Sequence, residues 1–414
     1  MIEVQKPKYL QFPFLIVYFF VILILFVSMF VFAYQPMAGN NVWSRAANAD
    51  EGGDFNCFYF AGKRVSEGKN FYFPMINDRY KNEVLSGPVR FVYPPLMAYF
   101  FMPFSLLSFD ASLFTYSLFC VLLLIFSVYI LSKFVLQRWY YFFITGIIFL
   151  LSPFFLDHLY AVETDIPVLF LIALCLLAFL KRKYKITGLL LATSIMFKLM
   201  PIIFLPYFFI KNKKVFYYSI FFIAILVLIF GFDVFTDFIA AITGFASGGI
   251  TAGKTNNGLG GMIYNRFTYD LFSFHTAQLI LTTSIVIISA IFYYLCFKMN
   301  NKEKQVEVDN SLILLEFGAM TFFMSFFPSI SSFYNGVFYL FIFTAFWNLR
   351  FILSTTYNLI IQALFYLSFS QALLFPVVNE RPFITIFNFR PLYVFIVVIL
   401  LWYSYYQKRF KQQI

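Results

Sequence analysis

The chain has 414 residues, of which 62% are hydrophobic and 12% are charged, and its formal net charge is +11. Because soluble proteins carry about 25% charged residues, this composition excludes an ordinary soluble domain and places the chain in a membrane. Most cations lie in short clusters between apolar runs, where they act as topology signals, which argues against nucleic-acid binding. The four cysteines show no pairing framework and no metal-type spacing.

Apolar runs of about the 20 residues that cross a bilayer recur along the whole chain, which predicts an all-α polytopic membrane protein. The first run, residues 12–32, is too long for the apolar core of a signal peptide and is expected to remain as a helix. The other predicted spans are 94–109, 112–132, 139–156, 166–180, 186–210, 215–231, 277–297, 311–327, 333–349, 351–376 and 391–406. They predict about ten to twelve crossings in a single domain over residues 1–414.

Basic clusters between the spans are expected to face the cytoplasm. They are Lys6 with Lys8, and residues 181–185, 211–214, 298–304 and 407–411. Residues 186–210 lie between two of these clusters but are long enough for one crossing only. Either one of these clusters departs from the positive-inside rule, or the segment enters the membrane and returns to the same side. Lys198 and Pro201 favour a broken, re-entrant helix. Whether the short, proline-rich span 94–109 crosses the membrane is equally open.

Two polar stretches, residues 34–92 and 232–276, are longer than ordinary connections, as functional loops often are. The first is extracytoplasmic if the amino terminus is inside, and its aromatic pattern predicts interfacial helices. One of them starts at Asp54, repeats apolar residues at helical spacing and ends at Gly68. On local grounds Asp54 is the N-cap of this helix.

Four motifs in order along the chain resemble glycosyltransferase family 87, the polyprenol-phosphate-mannose-dependent α-mannosyltransferases of the GT-C superfamily. They are "DFNCFYFAGKRVSEGKNFYF" from Asp54, "YPPLMAYFFMPFSLLS" from Tyr93, "GLLLATSIMFKLMPIIFLPYFFIKNKK" containing Lys198, and "NNGLGGMIYNRF" from Asn256. The resemblance implies a GT-C-like helical bundle with a catalytic first loop.

The resemblance further implies an inverting transferase that moves a hexose, mannose above all, from a polyprenyl-phosphate donor to a glycan or glycolipid acceptor. The reaction would occur on the extracytoplasmic side of the cell membrane, with Asp54 as the base and no cofactor. Lipid-linked donor, acceptor and membrane lipids are the partners expected, and nothing indicates a protein partner. The alternative is a transporter or flippase of lipid-linked saccharides, which inverted repeats would favour. The sequence shows no such repeat.

Several residues are candidates for substrate binding. Lys198 is expected to contact the donor phosphate, because a lysine in an apolar span is expensive; snorkelling or a structural pair with carboxylates is the alternative. Arg266 is a second candidate for the phosphate, or else an interface anchor. Tyr93 and Asn256, which begin the second and fourth motifs, are assigned to substrate binding as well.

The segment "DHLYAVETD", residues 157–165, concentrates His158, Glu163 and Asp165 between two spans. Such carboxylates can bind sugar hydroxyls or coordinate a divalent metal, although no metal site is predicted. The alternative is a solvated turn in which Asp165 caps the next helix. The sequence departs here from the family, in which Gly-Gln-x-Asn is expected where Val162 to Asp165 stand.

A second departure lies in "FPSISSFYNG", residues 327–336, where the family tends to carry a Trp-Asp-His cluster. This chain has no histidine there. If that histidine binds the donor phosphate in relatives, Tyr334 or Asn335 takes its place, or the donor differs. Tyr334 is therefore included among the substrate-binding candidates.

Overall fold

The structure, a computed structural model, confirms an all-α architecture. It describes residues 54–72, 91–138, 140–150, 152, 154–155, 158–159, 162–247, 259, 274–303, 310–327, 333–350, 353–369 and 390–410. Within them every regular element is a helix. The predicted first span, residues 12–32, and the basic pair Lys6 and Lys8 lie outside the described residues.

The helices follow the apolar runs of the sequence. In chain order the α-helices are α1 (Asp54–Ser66), α2 (Pro95–Phe101), α3 (Phe109–Ile130), α4 (Tyr140–Leu150), α5 (Asp165–Leu180), α6 (Tyr184–Phe197), α7 (Phe204–Lys211), α8 (Lys213–Phe230), α9 (Phe232–Ser247), α10 (Phe274–Glu303), α11 (Asn310–Phe326), α12 (Tyr339–Leu349), α13 (Thr355–Phe369) and α14 (Arg390–Phe410). Short 3-10 helices occupy Phe104–Leu106, Met200–Ile203 and Phe333–Phe338, and a π-helical turn, Leu131–Val135, extends α3.

Three described stretches are long and apolar enough to cross a membrane by themselves: Phe109–Val135, Lys213–Phe230 and Leu279–Lys298. Shorter apolar helices of 10–17 residues accompany them. The predicted span 94–109 is not a crossing, because α2 has only 7 residues, about 10 Å of helix. Pro103 lacks an amide donor and its ring would clash with the carbonyl of Tyr99, so the helix cannot continue through it.

The predicted span 186–210 is a broken helix. Its first part, α6, ends at Phe197, a 3-10 turn follows at Met200–Ile203, and α7 runs to Lys211. Pro201 explains the break, since its ring would clash with the carbonyl of Phe197 if the helix continued.

The two halves of this segment form a hairpin whose ends lie together. Phe208 of α7 packs against Phe179 near the end of α5, with ring centroids 5.2 Å apart. Near the start of α6, a Cβ added to Gly188 would come within 2.5 Å of the Cβ of Tyr218 on α8. The basic clusters 181–185 and 211–214 therefore lie at the same end of the α6–α7 hairpin. This hairpin agrees with the second alternative for the topology, in which the segment enters the membrane and returns to the same side.

The helix predicted from Asp54 is confirmed as α1, and the chain leaves it through Gly68 with a left-handed φ of +65°. It is more deeply packed than an interfacial helix needs to be. A Cβ at Gly62 would lie 2.6 Å from the backbone of Phe101, so α1 and α2 touch backbone to backbone. Tyr59 donates a hydrogen bond of 2.9 Å to the carbonyl of Leu107.

The second long polar stretch, 232–276, is not wholly a loop, because α9 forms its first part. This helix contacts the first loop. Asn70 donates a hydrogen bond of 2.6 Å to Oδ2 of Asp237, and Tyr72 packs against Phe238 with ring centroids 6.0 Å apart. The two long polar stretches thus meet in one structure.

Candidate active site

Asp165 anchors a buried polar cluster at the start of α5. Its Oδ1 lies 2.7 Å from Nζ of Lys198, and its Oδ2 accepts a hydrogen bond of 2.7 Å from the side-chain amide of Asn335. Asp165 is fully buried and makes no capping bond to the helix, whose N-cap residue is Thr164. The solvated turn with Asp165 as a cap is therefore wrong. Asn335, one of the two candidates to replace the missing histidine, belongs to this cluster.

Lys198 reaches the cluster because α6 stops one residue before it. Its backbone is extended, with φ −152° and ψ 132°, and its ammonium group also lies 3.5 Å from Oε2 of Glu163 and over the ring of Tyr93, 5.7 Å from the centroid. The side chain keeps 13% of its surface exposed, whereas the two carboxylates are buried. The pairing with carboxylates is the arrangement named above as the alternative to a phosphate contact.

Glu163 is held through both its backbone and its side chain. Tyr116 donates a hydrogen bond of 2.9 Å to its carbonyl oxygen, and its own Oε2 accepts one of 3.1 Å from the amide of Thr164. The hydroxyl of Tyr93 lies 3.4 Å from Oε1 and 3.5 Å from Oε2. These distances exceed the 2.5–3.0 Å of a normal O–H···O bond, so Tyr93 contacts the carboxylate less closely than the amide of Thr164 does.

His158 is linked to Glu163 through the backbone, since its carbonyl oxygen accepts hydrogen bonds of 2.8 Å and 3.4 Å from the amides of Val162 and Glu163. The imidazole is fully buried, and neither ring nitrogen has a hydrogen-bond partner in the part of the chain that the structure describes. Burial lowers the pKa of His158 to about 3; the charge of Glu163 opposes this shift and that of Lys198 adds to it. The ring is therefore neutral at physiological pH.

Val162 adopts a left-handed conformation, with φ 51°. This is a strained geometry for a β-branched residue and an easy one for glycine. Glycine is the residue that the resemblance to the family leads us to expect at this position. The departure from the family in residues 162–165 thus coincides with backbone strain at the cluster.

Helix α1 packs its first turn on the tyrosines that surround Glu163. Phe55 stacks on Tyr116 with ring centroids 5.9 Å apart, and Phe58 meets Tyr93 edge-on at 4.9 Å. Asp54, the first residue of α1, directly precedes Phe55. The backbone of Asp54 therefore lies at the same end of the bundle as the cluster. Its side chain is not among those described, and its role as base stays a prediction.

The remaining candidates are not tested. Asn256 and Arg266 lie outside the described residues. Tyr334 lies in the 3-10 helix Phe333–Phe338, next to Asn335, but its side chain is not described.

A second buried cluster was not predicted. Glu316, in the middle of α11, accepts hydrogen bonds of 2.7 Å from the hydroxyl of Tyr207 and 3.1 Å from Nζ of Lys211. The Lys211 and Glu316 side chains keep 4% and 0% of their surfaces exposed. A signal for it existed, because a glutamate inside the apolar span 311–327 is expensive without a partner. By contrast, nothing in the sequence indicated that Tyr116 would contact Glu163.

The comparison with protein families agrees with the motifs. Glycosyltransferase family 87 matches residues 91–325, more than half of the chain. This range contains Tyr93, Glu163, Asp165 and Lys198 but not Asp54. No curated protein matches the chain. The extent of the family match shows that the chain belongs to glycosyltransferase family 87.

Proposed function

We propose that this membrane glycosyltransferase transfers a hexose, mannose in the first instance, from a polyprenyl-phosphate-linked donor to a glycan or glycolipid acceptor. The observation that carries the proposal is the packing of α1 on the polar cluster. Phe55 and Phe58 contact the two tyrosines that approach Glu163, so the predicted base and the predicted substrate-binding residues share one end of the bundle. Because the chain belongs to a glycosyltransferase family, an enzyme is favoured over a transporter or flippase.

The arrangement of charges supports an active site on the extracytoplasmic side of the cell membrane. Helices α5 and α6 join at the basic cluster 181–185, and the cluster 211–214 lies at the same end. Asp165 and Lys198 lie at the opposite end of these two helices. Since basic clusters prefer the cytoplasm, the polar cluster is expected to face away from it.

The proposed reaction needs one base. The carboxylate of Asp54 accepts the proton of an acceptor hydroxyl, whose oxygen attacks the anomeric carbon of the donor sugar. The bond between that carbon and the phosphate oxygen breaks, and its electron pair leaves with the polyprenyl phosphate. A single displacement inverts the anomeric configuration. Lipid phosphate is a good leaving group, so the mechanism requires no second carboxylic acid.

The test is transfer of labelled sugar by the purified protein. Polyprenyl-phosphate mannose and polyprenyl-phosphate glucose are supplied separately, with an extract of membrane glycolipids as acceptor, and the Asp54→Asn variant is the control. We expect transfer from one of these donors, with inversion, and its loss in the variant. Transfer from a nucleotide sugar alone would overturn the proposed donor class, and movement of the intact lipid across sealed vesicles without transfer would overturn the enzyme.

A further inference from the structure

Two lysines at the end of α5 opposite to Asp165 share one aromatic ring. Phe134 lies in the π-helical turn that extends α3, and the Nζ atoms of Lys133 and Lys181 lie 5.6 Å and 5.0 Å from the centroid of its ring. Because Lys181 directly follows the last residue of α5, this contact joins the ends of α3 and α5. The two ammonium groups are at most about 11 Å apart, which is the sum of these two distances.

Neither of these lysines is neutralised by an acid. Both side chains are exposed, and among the residues that the structure describes neither ammonium group forms an ion pair with a carboxylate. Lys133 donates a hydrogen bond to the hydroxyl of Tyr129, which carries no charge. The face of an aromatic ring attracts a cation but cannot cancel its charge. The pair of ammonium groups therefore keeps its attraction for an anion.

The backbone next to both lysines departs from regular helix. Lys133 lies in the π-helical turn Leu131–Val135, and such turns occur frequently at functional sites. Gln137 and Arg182, which follow the two helix ends, are left-handed, with φ 56° and 58°. Glycine is the usual residue in this position because it adopts the conformation without strain. Strained residues in place of glycine are characteristic of sites that hold a ligand.

An apolar stripe on α3 leads to the two lysines. Leu122 and Phe126 lie about one turn apart on this helix, Phe134 follows about two turns later, and all three side chains are exposed. They belong to the stretch Phe109–Val135, which is long and apolar enough to cross a membrane, so they are expected to face lipid tails. A lipid molecule beside α3 can therefore lay its acyl chains on the stripe and bring its headgroup to the lysines.

We propose that Lys133, Lys181 and Phe134 form a binding site for an anionic phospholipid, whose phosphate lies between the two ammonium groups and whose acyl chains follow α3. Lys181 belongs to the basic cluster 181–185, which prefers the cytoplasm, and the cytoplasmic leaflet carries the anionic lipids that attract basic residues beside membrane helices. The site is separate from the residues assigned to sugar transfer, which lie at the other end of α5. The proposal therefore goes beyond the proposed function and does not depend on it.

Lipid binding by the full-length protein, measured by native mass spectrometry, tests the site. The protein is titrated with phosphatidylglycerol, with phosphatidylcholine of the same acyl chains, and with phosphatidylglycerol in the presence of excess glycerol phosphate. The double variant Lys133→Gln with Lys181→Gln removes both charges from exposed side chains. The matched control is Lys213→Gln with Lys214→Gln, which removes two exposed charges from the start of α8 at the same end of the α6–α7 hairpin as residues 181–185.

We expect the Lys133 and Lys181 double variant to weaken binding of phosphatidylglycerol by about thirtyfold and to leave binding of phosphatidylcholine unchanged. The control variant should keep most of the wild-type affinity for both lipids. Equal weakening in the control would indicate a diffuse attraction to the basic end of the bundle and overturn the site. Equal affinity of the wild-type protein for the two lipids would overturn it as well. Displacement of phosphatidylglycerol by glycerol phosphate would show that the site takes a soluble anion and not a lipid.

Discussion

The molecule contains two buried clusters in which a lysine meets carboxylates, one towards each end of the α6–α7 hairpin. In the cluster of Tyr207, Lys211 and Glu316, one carboxylate receives a short bond from each of two donors, and the lysine is almost fully buried. This cluster has the features of a structural lock between α7 and α11. A buried pair of this kind contributes little net stability but is costly to break.

The cluster of His158, Glu163, Asp165 and Lys198 shares the short bonds, since Asp165 receives one from each of two donors, but it differs in two other respects. It has an imidazole without hydrogen-bond partners among the described residues and a partly exposed lysine. A strained residue lies within it. Under the proposed function, a buried imidazole without described partners and a partly exposed lysine, rather than buried charge as such, distinguish the substrate-binding cluster from the lock. Changes at the first cluster should therefore affect the reaction, and changes at the second should affect folding.

The largest effect is expected from Asp54→Asn, which tests whether the reaction takes place at the end of the bundle that holds the first cluster. Asparagine keeps the size of the side chain and removes only its charge at the start of α1, so stability should fall by at most about 1 kcal/mol. Loss of a general base should lower the transfer rate by about 10² to 10⁴. Transfer assays and thermal unfolding of the same preparation measure both. A variant that transfers sugar at the wild-type rate would show that Asp54 is not the base.

The next largest effect is expected from Glu316→Leu at the second cluster. It leaves the ammonium of Lys211 buried without its carboxylate, which should cost about 3–5 kcal/mol of unfolding free energy. The double variant Lys211→Met with Glu316→Leu should recover most of this loss, because two apolar side chains replace the pair. Unfolding in detergent measures the stability, and transfer per folded molecule should be unchanged in the double variant. A double variant that is stable but inactive would show that the second cluster is needed for the reaction and not only for folding.

A smaller effect is expected from pH at the first cluster. The pKa of His158 is about 3 in the folded protein and about 6.5 when unfolded. Because the folded pKa is the lower one, the free energy of unfolding has its full value above pH 6.5 and falls as the pH drops towards 3. Between pH 7 and pH 5 the loss should be about 2 kcal/mol. Unfolding curves of wild type and His158→Phe should differ in this interval, and identical pH dependence would contradict a buried, neutral imidazole.

The smallest effect is expected from Val162→Gly. Relief of the left-handed strain, about 1–3 kcal/mol, is offset in part by the greater freedom of glycine in the unfolded chain, about 0.5–1 kcal/mol. Glycine also gives up the buried side chain of Val162, which is worth about 1.5–3 kcal/mol, so the melting temperature should change little. Gly188→Ala, which adds a methyl group where α6 touches Tyr218, relieves no strain and should lower it. A loss of more than about 2 kcal/mol for Val162→Gly would show that the turn is not strained.

Local chemistry accounts for what the sequence predicted correctly. Proline geometry placed the break near Lys198, glycine placed the end of α1 at Gly68, and the cost of charge in an apolar run marked Lys198 as a residue with a partner. The sequence did not show which residue this partner is. Asp165 and Lys198 meet because α5 and α6 pack side by side, which depends on contacts far apart in the sequence. The helix in residues 232–247 was missed because the long polar stretch that follows it obscured its apolar face.

The return of residues 186–210 changes how membrane crossings are counted. Of the twelve spans predicted from the sequence, neither 94–109 nor 186–210 then crosses, and an even number remains. An even number of the remaining predicted spans precedes each basic cluster, so we expect all of the clusters from Lys6 to residues 407–411 on one face of the membrane, in keeping with the positive-inside rule. Reporter proteins fused before residue 12 and after residue 406 should give the same signal. The two long polar stretches and residues 157–165 would then all open towards the opposite compartment.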